Sequence, residues 1–293
     1  MARVFVTGSH GLIGSALSER LRADGHEVVG YDIAADRRHD VVDPHALASA
    51  MAGCSGVVHL AAVSRVIWGE HDPGACHAVN VIGTRNVLAA TSSLREVRPW
   101  FLFGSSREVY GQARHLPVSE SAGLAPLNCY ARSKLDAELL VEQARAGGLN
   151  TAIVRFSSVY GSVADHPDRV APAFARLAAE GGALRIDGGD TTLDFTHVSD
   201  VAEALSRMVE RLSSGSRLPA LHLVSGRATS LSRLADLAVR CASGGTIRMA
   251  APRHYDVGRF VGDPARAARV LGWRATTGIQ EGIERLVEDF AKR

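Results

Sequence analysis

Aromatic residues, cysteines and long hydrophobic runs are all scarce in this chain. Only 5% of its 293 residues are aromatic although 46% are hydrophobic, so it has enough aliphatic sequence to bury a large core and is not expected to be disordered. The longest apolar stretches, such as residues 56–63, have the length of a strand and are too short to cross a bilayer. One large domain and two interlocked domains both fit this length.

No excess of charge of one sign is present either. The 33 basic and 31 acidic residues give a formal net charge of +2, without long runs of one sign. This balance argues against a nucleic-acid or membrane surface, although a few arginines are enough to hold a small anionic ligand. The sequence begins directly with a strand-like segment and has no recognisable targeting signal, so we expect a cytoplasmic protein.

The four cysteines are dispersed and form no CxxC pair. None has the neighbouring histidines or cysteines that a zinc site needs, so we expect reduced structural thiols and no bound metal. They are Cys54, Cys76, Cys129 and Cys241.

What the chain does contain is an alternation of short apolar runs with segments of helical spacing. Strands are predicted at residues 3–7, 27–31, 56–61, 100–105 and 151–156. Helices are predicted at residues 45–52, 128–146, 170–180, 199–212 and 278–291, the first preceded by an Asp43-Pro44 start signal. Continuous apolar strands separated by helices predict an α/β protein with a buried parallel sheet.

A glycine-rich pattern, TGSHGLIG at residues 7–14, follows the first predicted strand and opens a helix. Glycines let the backbone turn tightly and approach a pyrophosphate, whose charge is met by free N–H groups at the helix N-terminus. Asp32 ends the second strand, where its carboxylate is placed to accept from a ribose 2′-hydroxyl. We therefore predict a dinucleotide site formed by Gly8, Gly11, Leu12, Ile13, Gly14 and Asp32, with His10 as a solvent-facing spacer in the same loop.

The acidic residue also bears on the choice of cofactor. Asp32 repels a 2′-phosphate, which favours NAD over NADP. Arg37 and Arg38 follow closely in sequence and keep NADP open as the less favoured alternative.

Tyr130 and Lys134 lie four residues apart on one face of the helix predicted at 128–146. A neighbouring ammonium stabilises a phenolate, so such a pair exchanges a proton with a substrate hydroxyl near neutral pH. Ser106, which follows the strand predicted at 100–105, is placed to hydrogen-bond the same substrate oxygen. We predict Ser106, Tyr130 and Lys134 as a catalytic triad; the alternative is a surface Tyr–Lys pair beside a capping serine.

With these motifs in combination, the chain resembles the extended short-chain dehydrogenase/reductases, the NAD-dependent epimerase/dehydratase family. The resemblance runs from about residue 3 to residue 291, and the family's motifs occur in the same order along the chain. The other matching motifs are Asp40-Val41, His59-Leu60-Ala61-Ala62, NVIGT from Asn80, VYG from Val109, Arg155 with VYG from Val159, DFTHVSD from Asp194, and LGW from Leu271.

The resemblance implies a Rossmann-type, doubly wound parallel sheet of seven strands with a smaller C-terminal substrate-binding domain. The NAD-binding domain is expected at residues 1–160, with return segments near 191–225, and the mainly substrate-binding domain at 161–293. His59 and His197 are structural in the family, so neither is expected to act as a catalytic base. Further cofactor contacts are implied for Asp40, Val41, Leu60, Ala61, Ala62, Asn80 and Ser157, beside Tyr130 and Lys134.

Two departures from the family pattern concern the substrate. Members that act on nucleotide diphosphate sugars commonly have asparagine where this chain has Ser158, and arginine where it has Leu193. Leucine cannot donate to a phosphate, so one charge-assisted contact is missing. Arg253 matches another phosphate-facing arginine and is kept. The substrate is therefore a sugar nucleotide bound in an altered way, or a smaller sugar or polyol without a diphosphate.

The residues after Ser106 bear on the reaction. The 4,6-dehydratases of the family usually have Asp then Glu here, and this chain has Arg107 then Glu108. Glu108 is a candidate catalytic base and Arg107 a candidate substrate contact; the alternative is that the two pair with each other. A complete dehydratase is disfavoured because the acid partner has become a cation.

We therefore expect an NAD-dependent sugar nucleotide epimerase, in which a hydride passes from a sugar carbon to the nicotinamide and returns to the opposite face. The alternative is an NAD(P)-dependent dehydrogenase or reductase of a free sugar, a sugar acid or another biosynthetic ketone or alcohol. A non-enzymatic dinucleotide sensor is disfavoured because the triad is present. The resemblance also implies a homodimer, formed by the helices near residues 75–90 and 128–146.

Overall fold

The computed structural model describes residues 1–94, 99–251 and 257–293. The chain divides into two compact units. The first consists of residues 1–111, 123–156 and 202–222, and the second of residues 112–122, 157–201 and 223–293. The chain thus crosses between the two units several times. That the second unit binds the substrate remains a prediction.

Eleven strands are present in the described residues. They are β1 (Arg3–Thr7), β2 (Glu27–Tyr31), β3 (Gly56–His59), β4 (Trp100–Ser106), β5 (Asn150–Phe156), β6 (Ser158–Tyr160), β7 (Ala183–Asp187), β8 (Thr192–His197), β9 (Leu221–Leu223), β10 (Ala228–Ser230) and β11 (Thr246–Ala250).

The helices of the described residues are α1 (Leu12–Ala23), α2 (Pro44–Ala50), α3 (Val66–His71), α4 (Pro73–His77), α5 (Gly83–Ser92), α6 (Cys129–Ala146), α7 (Val170–Ala179), α8 (Val198–Ser213), α9 (Leu231–Ala242), α10 (Ala265–Leu271) and α11 (Ile279–Ala291). A π-helical turn, Ala78–Ile82, joins α4 to α5, and a 3-10 turn, Arg107–Tyr110, follows β4.

The first unit is built on a sheet of order β2-β1-β3-β4-β5-β9. All pairings among β1 to β5 are parallel; Val6 of β1, for example, lies between Gly30 of β2 and Val58 of β3. Every residue of β3 and of β4 is buried. Strands are buried along their whole length only when helices cover both faces of the sheet. The predicted doubly wound α/β fold is confirmed.

The sheet has six strands in the part of the chain that the structure describes, one fewer than the resemblance implies. The segment after β2 runs through successive turns instead of returning to the sheet. Asp36 Oδ1 accepts from the Arg38 N–H, and Asp40 Oδ1 accepts from the Val42 N–H, both at 2.9 Å. Aspartates that bind the N–H two residues on favour turns, because they occupy the backbone donors that a strand needs.

Local signals set the starts of the helices. Asp43 Oδ1 accepts from the His45 N–H at 2.9 Å and Pro44 takes the first helical position, so α2 begins where the start signal predicts. The Asn128 side chain caps α6 in the same way, accepting from the Ala131 N–H at 2.8 Å. The Asn128 cap fixes where α6 begins and therefore where Tyr130 and Lys134 lie on it.

The second unit contains a three-stranded sheet of order β10-β8-β6 and a parallel pair of β11 with β7. Helices α7, α9 and α11 pack around its hydrophobic core, which includes Phe174, Leu184, Leu234 and Leu286. None of the described helices is both long and apolar enough to cross a membrane.

Candidate active site

The glycine-rich loop connects β1 to α1 and leaves the start of α1 open. Gly8 has a φ of +68°, a conformation that a side chain would strain, and a Cβ on Gly14 would lie 2.0 Å from the Gly8 carbonyl oxygen. Gly11 is the N-cap residue of α1, and no side chain hydrogen-bonds to the helix start there. The first turn, which includes Leu12 and Ile13, contains no acidic residue. Uncapped N–H groups at a helix N-terminus fit the pyrophosphate of a dinucleotide.

Asp32 is held against this loop. Its Oδ2 accepts from the His10 N–H at 2.9 Å, and its Oδ1 accepts from the Ala34 N–H at 2.8 Å. The His10 side chain is exposed, as predicted for a spacer. The carboxylate thus lies beside the phosphate-binding loop at the end of β2, where the sequence places a ribose contact.

Strand order reverses between β1 and β3, the position at which open α/β sheets bind ligands beyond the carboxyl ends of their strands. The Leu60 and Ala61 N–H groups after β3 each donate to Thr7 Oγ1 at 3.1 Å. A Cβ on Gly8 would lie 2.7 Å from the Ala61 nitrogen. The loop containing Leu60, Ala61 and Ala62 is therefore fixed beside the glycine-rich loop.

The Asp40-Val41 pair lies in the run of turns after β2. Val41 is buried in the core of the first unit, where its Cγ2 atom would lie 2.7 Å from a Cβ on Gly83. Its side chain therefore packs against α5, and any contact with a ligand is left to its backbone. Arg38, one of the two arginines that keep NADP open, pairs with Asp36 at 2.6 Å. The Arg38 side chain is 88% exposed, and an exposed ion pair of this kind is weak, so it does not decide between NAD and NADP.

Asn80 lies in the π-helical turn and is buried. Its Oδ1 accepts from the Val63 N–H at 2.8 Å, and its Nδ2 donates to the Val63 carbonyl at 3.1 Å and to Ser133 Oγ at 2.9 Å. The amide thus ties the loop after β3 to α6, next to Lys134. These contacts give Asn80 a structural task in addition to its predicted role at the cofactor.

Tyr130 and Lys134 lie one turn apart on α6 and are both buried. Lys134 Nζ donates to the Gly104 carbonyl of β4 at 2.8 Å and lies 4.9 Å from the Phe103 ring centroid. Burial lowers the pKa of Lys134 from 10.5 to about 8. The lysine therefore binds the end of β4 two residues before Ser106, which brings the three predicted catalytic residues to one end of the sheet.

Glu108 and Arg107 form an ion pair in the 3-10 turn after Ser106. The Arg107 Nη2 to Glu108 Oε1 distance is 2.9 Å, and both side chains are largely buried. Asn128 Nδ2 donates to the other carboxylate oxygen at 3.3 Å. Both carboxylate oxygens of Glu108 already have partners, so the geometry favours the pairing of Glu108 with Arg107. It speaks against Glu108 as a catalytic base and against Arg107 as a substrate contact.

The two histidines that invite a catalytic interpretation are buried. In the first unit, His59 Nδ1 lies 2.7 Å from Thr7 Oγ1 and its Nε2 lies 2.9 Å from Thr84 Oγ1; burial lowers its pKa to about 3. In the second unit, His197 Nδ1 lies 2.7 Å from Ser199 Oγ, and burial lowers its pKa as well. Both contacts agree with the structural roles expected for these residues.

The remaining predicted residues belong to the second unit. The Ser157 hydroxyl donates to the Asp194 carbonyl, and Ser158 begins β6. Leu193 packs into the hydrophobic core of this unit. Arg253, the predicted phosphate contact, lies outside the described residues.

One group of buried polar residues was not predicted from the sequence. Glu138 binds Ser105 and Arg155, and Arg155 in turn binds Tyr110. Its signal in the sequence was the spacing Tyr130, Lys134, Glu138, which places all three on one face of α6. No cluster of three or more His, Cys, Asp or Glu side chains suited to a metal ion occurs in residues 1–94, 99–251 and 257–293.

A glycine-rich loop at the switch point of a parallel sheet, with a buried Tyr–Lys pair on the helix packed against β4, is the arrangement of a Rossmann-type NAD-dependent enzyme. The sequence model of the "NAD dependent epimerase/dehydratase family" matches residues 4–219. The chain belongs to this family, as predicted, and is therefore an NAD-dependent enzyme.

Relatives of known activity match over the whole chain. The UDP-glucose 4-epimerase of Mycolicibacterium smegmatis is 32% identical, covering 99% of each chain. The structure of MoeE5 with UDP-glucose and NAD has a TM-score of 0.88 and 29% identity, covering 98% of this chain and 97% of that one. The Thermus thermophilus UDP-glucose 4-epimerase with NAD has a TM-score of 0.86 and 28% identity, covering 98% of each. UDP-glucuronic acid decarboxylases and an NDP-hexosamine 5,6-dehydratase are also similar.

Proposed function

We propose that this chain is an NAD-dependent sugar nucleotide epimerase that inverts C4 of a UDP-hexose, with UDP-glucose and UDP-galactose as its substrate pair. The observation that carries the proposal is the Tyr130–Lys134 turn, buried against the end of β4 beside Ser106. Similarity to UDP-glucose 4-epimerases over the full length supports the choice of substrate.

The state of Glu108 supports epimerisation over elimination. A dehydratase has to remove a proton next to a keto group and protonate a leaving hydroxyl, which takes an acid and a base. Here the base position is paired with a cation at 2.9 Å, and that cation stands where the dehydratases place their acid. The chain therefore keeps the residues for hydride transfer. At the positions where a dehydratase has its acid and base, it has the ion pair of Arg107 with Glu108.

The chemistry assigns one task to each residue. The glycine-rich loop and Asp32 would hold NAD, which when bound would supply a reversible hydride acceptor. Tyr130 takes the proton of the C4 hydroxyl as the carbonyl forms and returns it when the alcohol is restored on the opposite face. Lys134 stabilises the phenolate form of Tyr130, and Ser106 donates a hydrogen bond to the same oxygen. The reaction has no net redox change, because the hydride returns to C4 and the proton returns to the C4 oxygen.

The fit of the cofactor rests on the chain's own groups. The uncapped start of α1 supplies N–H donors for the pyrophosphate, and Gly8 and Gly14 keep the loop close to the sheet. Asp32 supplies acceptors for the ribose hydroxyls. These groups favour NAD.

The alternative, a dehydrogenase or reductase of a free sugar, a sugar acid or another biosynthetic ketone or alcohol, is favoured by Leu193. Its side chain packs into the core and offers no donor to a diphosphate. The two functions differ in net redox change. Purified protein incubated with UDP-galactose should form UDP-glucose without accumulating NADH. Stoichiometric NADH formation from free sugars, with no interconversion of UDP-hexoses, would establish the alternative.

We also propose a homodimer that works in a reducing compartment such as the cytoplasm. Helices α4 and α5 each pack on α6, and Leu139 of α6 is 55% exposed although it is a large apolar residue. Four free cysteines, two of them buried, suit a reducing environment.

A further inference from the structure

A buried polar chain connects the elements around the Tyr130–Lys134 turn. Ser105 Oγ donates to Glu138 Oε1 at 2.5 Å, and Arg155 holds the same carboxylate through Nε at 2.9 Å and Nη2 at 2.6 Å. Arg155 Nη1 also donates to the Tyr110 hydroxyl at 2.6 Å, which lies 2.6 Å from His222 Nε2. The residues of this network come from β4, the 3-10 turn, α6, β5 and β9.

The direction of the hydrogen bonds from Arg155 is fixed by chemistry. Arginine only donates, so the Glu138 carboxylate and the Tyr110 oxygen both accept from Arg155, while the donor between Tyr110 and His222 depends on the histidine tautomer. Glu138 and Arg155 carry opposite charges and are both buried, with 4% and 8% of their side chains exposed. The pair is therefore neutral as a unit and held by several additional hydrogen bonds.

Glu138 lies one helical turn beyond Lys134. Lys134 Nζ binds the Gly104 carbonyl, and Glu138 binds the hydroxyl of Ser105, the next residue of β4. Two successive turns of α6 thus attach to two successive residues of β4, immediately before Ser106. Two attachment points fix both the translation and the rotation of the helix along the strand, whereas one point leaves the rotation free.

The network also binds the segment after Ser106. Tyr110 ends the 3-10 turn that begins at Arg107, so Arg155 holds this turn from the side of β5. Ser106 is thereby fixed on both sides, by Ser105 before it and by Tyr110 after it. Replacing a buried ion pair with apolar residues is often neutral for stability, so stability alone does not account for this arrangement.

We propose that Glu138 is a positioning residue for the reaction: by holding Ser105 and Arg155 together, it sets the register of the Tyr130–Lys134 turn against Ser106. The kinetic part of this proposal rests on the proposed epimerase function. An error of about 1 Å in the placement of reacting groups costs on the order of a hundredfold in rate. Glu138 touches no reacting atom and acts only through its neighbours.

The chain offers a matched control in the same unit. Ser206 is buried and donates to Asp24 Oδ2 at 2.6 Å, and Asp24 pairs with Arg20 at 2.8 Å. This serine–carboxylate–arginine group repeats the chemistry of Ser105, Glu138 and Arg155 on α8 and α1. Ser206→Ala therefore removes a serine–carboxylate hydrogen bond of the same type, at a partly exposed ion pair away from α6 and β4.

The test compares Ser105→Ala, Glu138→Gln, their double variant and Ser206→Ala as full-length, NAD-loaded proteins. We expect the first two to lower kcat for UDP-galactose by about tenfold to a hundredfold, with KM and NAD content within about twofold of wild type. The double variant should lose little more than Glu138→Gln alone, because Ser105 acts only through its bond to Glu138. Ser206→Ala should keep the wild-type kcat.

Hydrogen–deuterium exchange provides a readout that does not depend on turnover. Amides of residues 130–138 should exchange faster in Glu138→Gln and Ser105→Ala and remain as in wild type in Ser206→Ala. Unchanged exchange in this segment, or an equal loss of kcat in Ser206→Ala, would overturn the positioning role. If the wild-type protein converts no sugar nucleotide, the proposed function fails separately, and the exchange result alone decides whether Glu138 positions the turn.

Discussion

Lys134 carries a buried positive charge that the proposed chemistry needs and that lowers the stability of the fold. Its pKa is lowered to about 8 by burial, against 10.5 in water. Between these two pH values the unfolded chain binds more protons than the folded one, so stability from this group rises as the pH rises through the window. The charge costs most at and below pH 8.

Replacing Lys134 with methionine removes this cost. We expect Lys134→Met to gain stability relative to wild type at pH 7 by up to about 3 kcal/mol, offset by about 1 kcal/mol for the lost bond to Gly104. The difference should shrink steadily between pH 8 and 10.5, as the wild-type lysine becomes neutral. Urea unfolding at several pH values, with equal NAD content, measures it; a difference that grows with pH would contradict the assignment.

Glu108 separates the epimerase proposal from a dehydratase. In Glu108→Gln, the amide oxygen still accepts from Arg107, while the amide nitrogen replaces the oxygen that accepts from Asn128, so the charge and one hydrogen bond are lost. We expect kcat to fall by less than about tenfold, whereas loss of a general base costs about a hundredfold or more. Steady-state kinetics with UDP-galactose decide between the two. A loss as large as that of Tyr130→Phe would show that Glu108 takes part in the chemistry.

At the scale of single elements, the loop between β1 and α1, which we propose binds NAD, keeps two backbone segments in close contact. A Cβ on Gly14 would overlap the Gly8 carbonyl, so Gly14→Ala has to displace the loop. We expect this variant to lose bound NAD and to show no rise in melting temperature when NAD is added. Gly123→Ala is the control, since nothing lies within 4 Å of its added Cβ. Normal NAD retention in Gly14→Ala would refute the assigned role of the loop.

Elements with strong local signals could be predicted from the sequence. The helices α2 and α6 begin where Asp43 and Asn128 cap them, and the first two strands lie at their predicted positions. The sheet lacks a seventh strand in the described residues because Asp36 and Asp40 bind backbone donors within their own segment. The spacing of apolar residues does not reveal this competition between side chains and a strand for the same backbone N–H groups.

The candidate site likewise contains features that the sequence predicts and features that it does not. The glycine loop and the Tyr130–Lys134 turn depend on spacing within a single element, which a sequence displays directly. The Arg107–Glu108 pair and the bond from Ser105 to Glu138 depend on rotamers and on packing between elements. Sequence reasoning could offer pairing of Glu108 only as an alternative, and it did not find Glu138.

At the scale of the whole molecule, the proposed homodimer depends on the exposed face of α6. We expect the wild-type protein to elute as a dimer and Leu139→Glu to elute as a monomer, because a buried carboxylate at an apolar contact is unfavourable. Size-exclusion chromatography with light scattering measures the mass. Met249→Glu, which alters an apolar residue of the second unit that is 62% exposed, should remain dimeric. A monomeric wild-type protein would exclude this assembly.

The proposed reaction requires that the hydride leaving C4 returns to the same carbon. UDP-galactose labelled with deuterium at C4, incubated with the purified protein and no added NAD, should yield UDP-glucose that retains deuterium at C4, as read by NMR. Tyr130→Phe, which keeps the ring and removes the proton acceptor, should slow the conversion by about a hundredfold or more. Loss of the label to solvent, or no conversion at all by the wild-type protein, would contradict the proposed function.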